Sequence, residues 1–220
     1  MDLENKPFYR VLPWVITVVV SLLFAVLLRN QLAHQETDWQ EHLRAQQMAS
    51  EYALNVSQQH LLQQATGYAQ LIARDKEVLA LVRRAAEVYQ QEGHNDDAEK
   101  TIAIRAQLQR MLGHYWEQMM PLGVRELNIH FAVQDTVFLR MNNVARFGDS
   151  LTQTSPLLVA ALKKGEMTNG MEVGHYGANY RAFSPVTLSD SSSEVIAAVE
   201  VGVELLPKQD LQRNKGQAVL

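Results

Sequence analysis

Phe138-Leu139-Arg140-Met141, Phe147-Gly148-Asp149-Ser150-Leu151, Gly170-Met171-Glu172-Val173-Gly174 with Gly177, Tyr180-Arg181-Ala182-Phe183-Ser184-Pro185-Val186 and Val199-Glu200-Val201-Gly202 follow one another in the C-terminal half of the chain. Their reading decides the fold. Short runs of β-branched and aromatic residues punctuated by glycine turns predict strands. The pattern extends upstream to Gly123: Leu127, Ile129, Phe131 and Val133 share one strand face, opposed by Asn128, His130 and Ala132. Gln134-Asp135 suits a hairpin, with Thr136 to Met141 as the return strand. Thr154 to Lys164 reads as a short helix that starts near Pro156 and stops at Gly165. Further strands are expected near Met171-Val173, Asn179-Val186 and Val195-Leu205, with Ser189-Asp190-Ser191-Ser192-Ser193 as the turn between the last two.

The upstream half reads differently. No proline lies between Pro13 and Pro121, and only Gly67, Gly93 and Gly113 interrupt that interval, which is rich in Ala, Gln, Glu and Leu and therefore helical. Leu54, Leu61, Ala65, Tyr68, Ile72, Leu79 and Val82 recur at helical steps, so the first helix is expected to run to about Tyr89 with one buried stripe. Gln91 to Asp97 is a polar break in which Gly93 can stop a helix. A second helix over Asp97 to Met120 follows, ended by Pro121 and Gly123. Helices, hairpin, connecting helix and three antiparallel strands make an α+β order of elements.

Val11 to Leu28 carries no formal charge, and at 1.5 Å per residue it spans roughly 27 Å, near the hydrocarbon thickness of a bilayer. Tyr9 and Trp14 stand where an aromatic belt would lie. The run is longer than the apolar core of a signal peptide and ends Leu27-Leu28-Arg29-Asn30 without a small-residue cleavage site, so it reads as an uncleaved transmembrane helix. Lys6 and Arg10 before it are nearly balanced by Arg29 and Arg44 after it, a slight bias towards a cytoplasmic N-terminus. The expected organisation is residues 1–10 as a cytoplasmic N-terminus, 11–29 as the anchor, 30–122 as the long and second helices, 123–206 as the sheet lobe and 207–220 as a polar tail.

The quoted segments, in that order, resemble the extracytoplasmic Cache (PAS-like) sensor domains of bacterial chemoreceptors, sensor kinases and diguanylate cyclases, especially the double sensory domain of two-component kinases. The resemblance rests on Phe138 to Met141 as an "FLRMH"-like strand, Gly148-Asp149-Ser150-Leu151 as a "GDDL"-like turn, Gly170 to Gly174 as "G-x-E-x-G", Tyr180 to Val186 as "YR-x-x-x-PV" and Val199 to Gly202 as the closing strand. It implies a long helical layer followed by a PAS/Cache-like antiparallel sheet lobe. It also implies a sensor domain in the periplasm, held by a single pass in the inner membrane and binding a small molecule. Two departures stand out. Asn142 occupies a position where the relatives carry His, and no Arg follows the Gly-Asp turn. Both positions would lie near the family's ligand cavity.

Alternation on a regular strand puts Phe138 and Arg140 on one face, where the guanidinium can clamp a carboxylate or pair internally with Asp149 or Glu172. Tyr180 and Arg181 face opposite ways, and the resemblance favours Arg181 for the cavity. Glu172 has similar standing to Glu200, which lies opposite Val195, Ala197, Val199, Val201 and Val203 and so either reaches a cavity or is exposed. Asp149 after Gly148 suits a turn cap.

A formal net charge of -4 does not suit a nucleic-acid platform, and with no cysteine there is no thiolate chemistry. No metal-ligand spacing, Gly-x-Ser-x-Gly elbow or acid–base constellation is legible among the serines and the histidines, though His130 and His175 could meet in space. No cofactor and no enzymatic activity are expected. The leading expectation is an anchored sensory domain that binds a small ligand, an anion among the candidates, and signals through its helices, as part of a receptor or beside a separate output partner. The other reading is an envelope protein that dimerises through its long helix. Trp39 and Leu43, with Ser21 and Ala25 in the span, suggest a homodimer in either case.

Overall fold

The computed structural model describes residues 7–174 and 177–204, with side chains for 14–31, 39–173 and 177–204. His175 and the polar tail from Pro207 lie outside the described residues. The chain divides into two units, Met1–Val56 and Ser57–Leu220.

The first unit is built from the early part of helix α1, Pro7–Arg74. Trp14–Gln31 is, among the described residues, the one stretch long and apolar enough to cross a membrane, and none of its side chains is covered by protein. Trp39, Leu43, Met48, Tyr52, Leu54 and Val56 are exposed as well.

In the second unit, the last turns of α1 bury Ala65, Ala69 and Ile72. The expected continuous helix to Tyr89 is in fact broken at Asp75. Asp75 adopts an extended backbone (φ −63°, ψ 124°), and its side chain accepts hydrogen bonds from Glu77 N and Val78 N, starting a new helix α2, Lys76–Gln91. An aspartate that caps in this way competes with helix continuation despite the unbroken apolar stripe. Tyr115 Oη donates to its other oxygen at 2.9 Å. The hydrogen bond from Val78, seconded by Tyr115, holds the Asp75 carboxyl below the usual carboxylate range. Helix α3, Glu99–Met119, follows the turn at Gly93 and His94, both left-handed.

Strands β1 (Val124–Phe131), β2 (Thr136–Arg140), β3 (Thr168–Gly174), β4 (Gly177–Thr187) and β5 (Val195–Glu204) form an antiparallel sheet of order β2-β1-β5-β4-β3. The fold is α+β, with helices and an antiparallel sheet segregated along the chain as the sequence led us to expect. Leu127, Ile129, Phe131, Val199, Val201 and Val203 turn one face of the sheet to the core that α1, α2 and α3 cover with Ile72, Val82, Ile104 and Leu108. Helix α4, Pro156–Lys164, starts at Pro156 and is stopped by left-handed Gly165, as read from the sequence, and Ser155 Oγ caps it. It covers part of the opposite face, where Leu158, Ala161 and Leu162 meet Phe183 and Ala198.

One register irregularity changes the site. Ile129 pairs with Leu139 and His130 with Val137, which leaves Phe138 as the extra residue of a bulge. Phe138 therefore packs on the helix side, 4.3 Å between ring centroids from Phe131 and 5.8 Å from Tyr89. It does not share a face with Arg140, which regular alternation would have required.

Candidate functional site: a charged cavity on the sheet

The sheet face turned away from α1 to α3 carries Glu126, Asn128 and His130 of β1, Arg140 of β2, Glu172 of β3, Asn179 and Arg181 of β4, and Glu200 of β5. Cross-strand register brings them together: Asn128 stands opposite both Arg140 and Glu200, and Gly202 stands opposite both Glu126 and Arg181. Residues 141–155 close over this face and leave a cavity of about 320 Å³ lined by Glu126, Asn128, Arg140, Asp149, Arg181 and Glu200.

The floor is a buried charge cluster. Arg181 Nη2 donates to Glu126 Oε1 at 2.8 Å, and Nη1 lies 3.3 Å from Glu200 Oε1 and 3.8 Å from Glu172 Oε2. Glu200 Oε2 accepts from Asn128 Nδ2 at 2.7 Å and lies 2.6 Å from His130 Nε2. Because a carboxylate can only accept, that short contact puts the proton on Nε2. Burial, reinforced by the neighbouring Glu200, pushes the Glu126 carboxyl up to about 8. Burial also opposes ionisation of Glu200, but His130, Arg181 and Asn128 together outweigh it and hold that carboxyl at about 2. Not every polar atom is used: Asn128 Oδ1, Arg181 Nε and Asn179 Nδ2 are buried without a hydrogen-bond partner. Such atoms are rare in a structural core and call for an explanation.

Arg140 forms the wall. Its Nη1 and Nη2 donate to Asp149 Oδ1 and Oδ2 at 2.6 and 2.8 Å, and Nη1 also reaches the Arg146 carbonyl at 2.9 Å. Of the two internal pairings open to it, Asp149 takes the fork, and the Arg140 hydrogen bonds hold the Asp149 carboxyl below its usual range. Glu172 is drawn elsewhere: its oxygens accept from Ser155 Oγ at 2.8 Å and from Leu157 N at 2.9 Å, at the start of α4. A carboxylate there suits the positive end of the helix.

The structure thus brings Arg140, Asp149, Arg181 and Glu200 to one cavity, with Glu172 at its edge against Arg181. Three expected site residues lie elsewhere. Phe138 is on the helix side because of the bulge. Tyr180 is opposite Val203 on that same core face, as alternation with Arg181 demands. Asn142 is exposed beyond the end of β2 and donates to the Arg125 carbonyl at 3.0 Å. Glu126, Asn128 and Asn179 had not been singled out, and His130 had been considered only with His175. The period-two alternation of Glu126, Asn128 and His130 was the available signal.

A further residue missed in the sequence is Arg105 of α3, 6% exposed. It donates to the Phe138 carbonyl at 2.9 Å, to the Asp96 carbonyl at 3.2 Å and to the Asp96 carboxylate. Its guanidinium lies 3.7 Å from the Phe147 ring centroid and 4.7 Å from that of Phe138. Gly148, left-handed at φ +83°, sits so close to Asp96 that a Cβ would fall 2.7 Å from Asp96 Oδ2. The segment that carries Asp149 is thereby docked on the helical layer. A larger hollow of about 970 Å³ lies beside α2, lined by Arg83, Arg84, Tyr89, Phe131, Glu194 and Ile196 among others.

No protein-family model matches the chain, and no curated protein matches it. Among solved structures, it is similar to the E. coli DcuS sensor domain at 17% identity, with a TM-score of 0.43 over 73% of this chain and 98% of that one. It is also similar to the Vibrio cholerae LuxQ periplasmic domain at 11% identity, with a TM-score of 0.36 over 74% of this chain and 67% of that one.

Proposed function

We propose that the chain is a membrane-anchored, extracytoplasmic sensory module whose small-molecule site is the cavity floored by Arg181, Asn128, Glu126 and Glu200. The observation that carries this reading is the set of buried, unsatisfied polar atoms, Asn128 Oδ1, Arg181 Nε and Asn179 Nδ2, gathered on the sheet face that forms a cavity. About 320 Å³ is at the small end of ligand pockets, which suits a polar metabolite. A ligand that carries a carboxylate would gain the Arg140 fork by replacing Asp149. That exchange would release residues 141–155 from the wall and pass the change, through Phe147 and Arg105, to α3. The uncovered Trp14–Gln31 helix supplies the anchor, and Trp39 and Leu43 supply a surface for a homodimer.

The test is a thermal-shift screen of the full chain in detergent micelles against small polar metabolites. A ligand specific for the folded state, at a hundred times its Kd, stabilises by about 2.7 kcal/mol, roughly 5–10 °C for a unit of this size. Asn128→Leu should lose the shift. A shift unchanged in Asn128→Leu would move the site elsewhere. For the anchor, C-terminal reporters should be active only when the reporter functions outside the cytoplasm; the reverse pattern would overturn the localisation.

A further inference from the structure

We propose that Glu126 and Glu200 hold a single proton between them on the cavity floor, so that the folded unit carries a proton-binding site responsive to external pH. The geometry requires some such neutralisation. Both carboxylates are almost wholly buried, at 3% and 1% exposure, and both lean on the same guanidinium. Glu126 Oε2 and Glu200 Oε1 are each buried without a hydrogen-bond donor when written as carboxylates, although Arg181 Nη1 lies 3.3 Å from the latter. Two such oxygens repel, whereas one proton turns one of them into a donor to the other.

The fold holds the two chains together from the backbone outward. Glu126 stands opposite Gly202, where a Cβ would lie 2.8 Å from Glu126 Oε2, so its side chain lies over β5 and meets the guanidinium of Arg181 that also reaches Glu200. Every strand contributes a group that faces the pair: His130 beside it on β1, Arg140 with its partner Asp149 from β2 and the closing segment, Glu172 from β3, and Arg181 and Asn179 from β4. Among the described residues Arg181 is the one cation directly on Glu126, and it is shared with Glu200 and Glu172. An excess of acid is therefore sealed inside the sheet layer. The raised Glu126 and lowered Glu200 carboxyls have the directions expected of a pair that divides one proton.

The sign of the linkage follows. A carboxyl whose folded pKa is raised gives stability that is complete below its unfolded value and is lost as pH rises towards the folded one. For Glu126 that window runs from the ordinary carboxylate range up to about 8. The pair lies on the floor of the cavity proposed for the ligand, but its test needs no ligand, so the two readings can fail separately.

The measurement is carbon-detected NMR titration of glutamate side chains in the full chain held in micelles, with Glu126→Gln and Glu200→Gln used for assignment. One of the two carboxyls should titrate above pH ~7 and the other should stay ionised below pH ~4. The wild-type melting temperature should fall between about pH 5 and pH 9, and Glu126→Gln, which mimics the protonated acid, should flatten that dependence. Two carboxyls that both titrate near pH ~4.3 would overturn the proposal, as would an unchanged pH dependence in Glu126→Gln. Should Glu126→Gln fail to fold, the wild-type titration alone decides.

Discussion

Arg105 joins α3, the turn at Asp96, the backbone of β2 and the ring of Phe147, so its removal tests whether the cavity's closing segment is tied to the helical layer. In Arg105→Met the apolar stem is kept, while the Phe138 carbonyl, the Asp96 carbonyl and the Asp96 carboxylate all lose their donor. Breaking one side of a buried ion pair costs about 3–5 kcal/mol. The Asp96 side chain is 24% exposed, so water recovers part of the loss and the lower end applies, about 3 kcal/mol. For a unit of this size that is roughly 6–12 °C in Tm. Near-UV circular dichroism, to which Tyr89, Phe131 and Trp116 contribute, reads it against a background from Trp14, Trp39 and Tyr52 of α1 that wild type and variant share. Asp96→Asn and the double variant complete a cycle. Residues in one network couple by about 0.5–3 kcal/mol, and we expect a value above ~1.5. A coupling below ~0.5 kcal/mol would refute the reasoning, because the two side chains would then be acting independently.

Three further outcomes follow from the same contacts. Arg140→Ala and Asp149→Ala should lower the melting temperature by similar amounts at neutral pH. Since Arg140 depresses the Asp149 pKa, this contribution is present above the ordinary aspartate pKa and is lost as pH falls through the folded value, so the wild type and both variants should converge on acidification. Asp75→Ala removes the α2 cap and the Tyr115 partner and should cost about 1–2 kcal/mol by chemical denaturation. Gly202→Ala forces a methyl to within 2.8 Å of Glu126 Oε2 and should cost about 1–3 kcal/mol, with a smaller loss in a Glu126→Ala background.

The sheet and its connecting helix were legible because their determinants are local. Alternation set the faces of β1 and β5, and Pro156 and Gly165 marked both ends of α4. The break at Asp75 was hidden because its cause is a side-chain hydrogen bond inside an otherwise perfect apolar stripe, completed by Tyr115 from a different helix. Phe138 was assigned to the cavity because a period of two has no room for a bulge, and only the pairing with β1 reveals the extra residue. Arg140, Arg181, Glu200 and Asp149 could be picked out as charged residues on strands or turns. Alternation with Asn128 and His130 put Glu126 on the same face, but its significance comes from Arg181 and Glu200, which approach it only when β4 and β5 close the sheet. Asn142 was carried to the cavity by resemblance alone, and the chain leaves the sheet before reaching it.

The central claim, that the sheet cavity is where the chain takes its ligand, is tested most directly by the arginine Nε–H resonances of the full chain titrated with the best compound from the metabolite screen. Arg181 Nε lies without a hydrogen-bond partner on the cavity floor, whereas Arg83 Nε, on α2, donates to the Thr187 carbonyl at 2.9 Å. Binding on the sheet face should give a saturable shift of Arg181 Nε–H, with Arg140 following and Arg83 unmoved. Saturation at Arg83 with Arg181 undisturbed would place the ligand in the hollow beside α2 and contradict the claim.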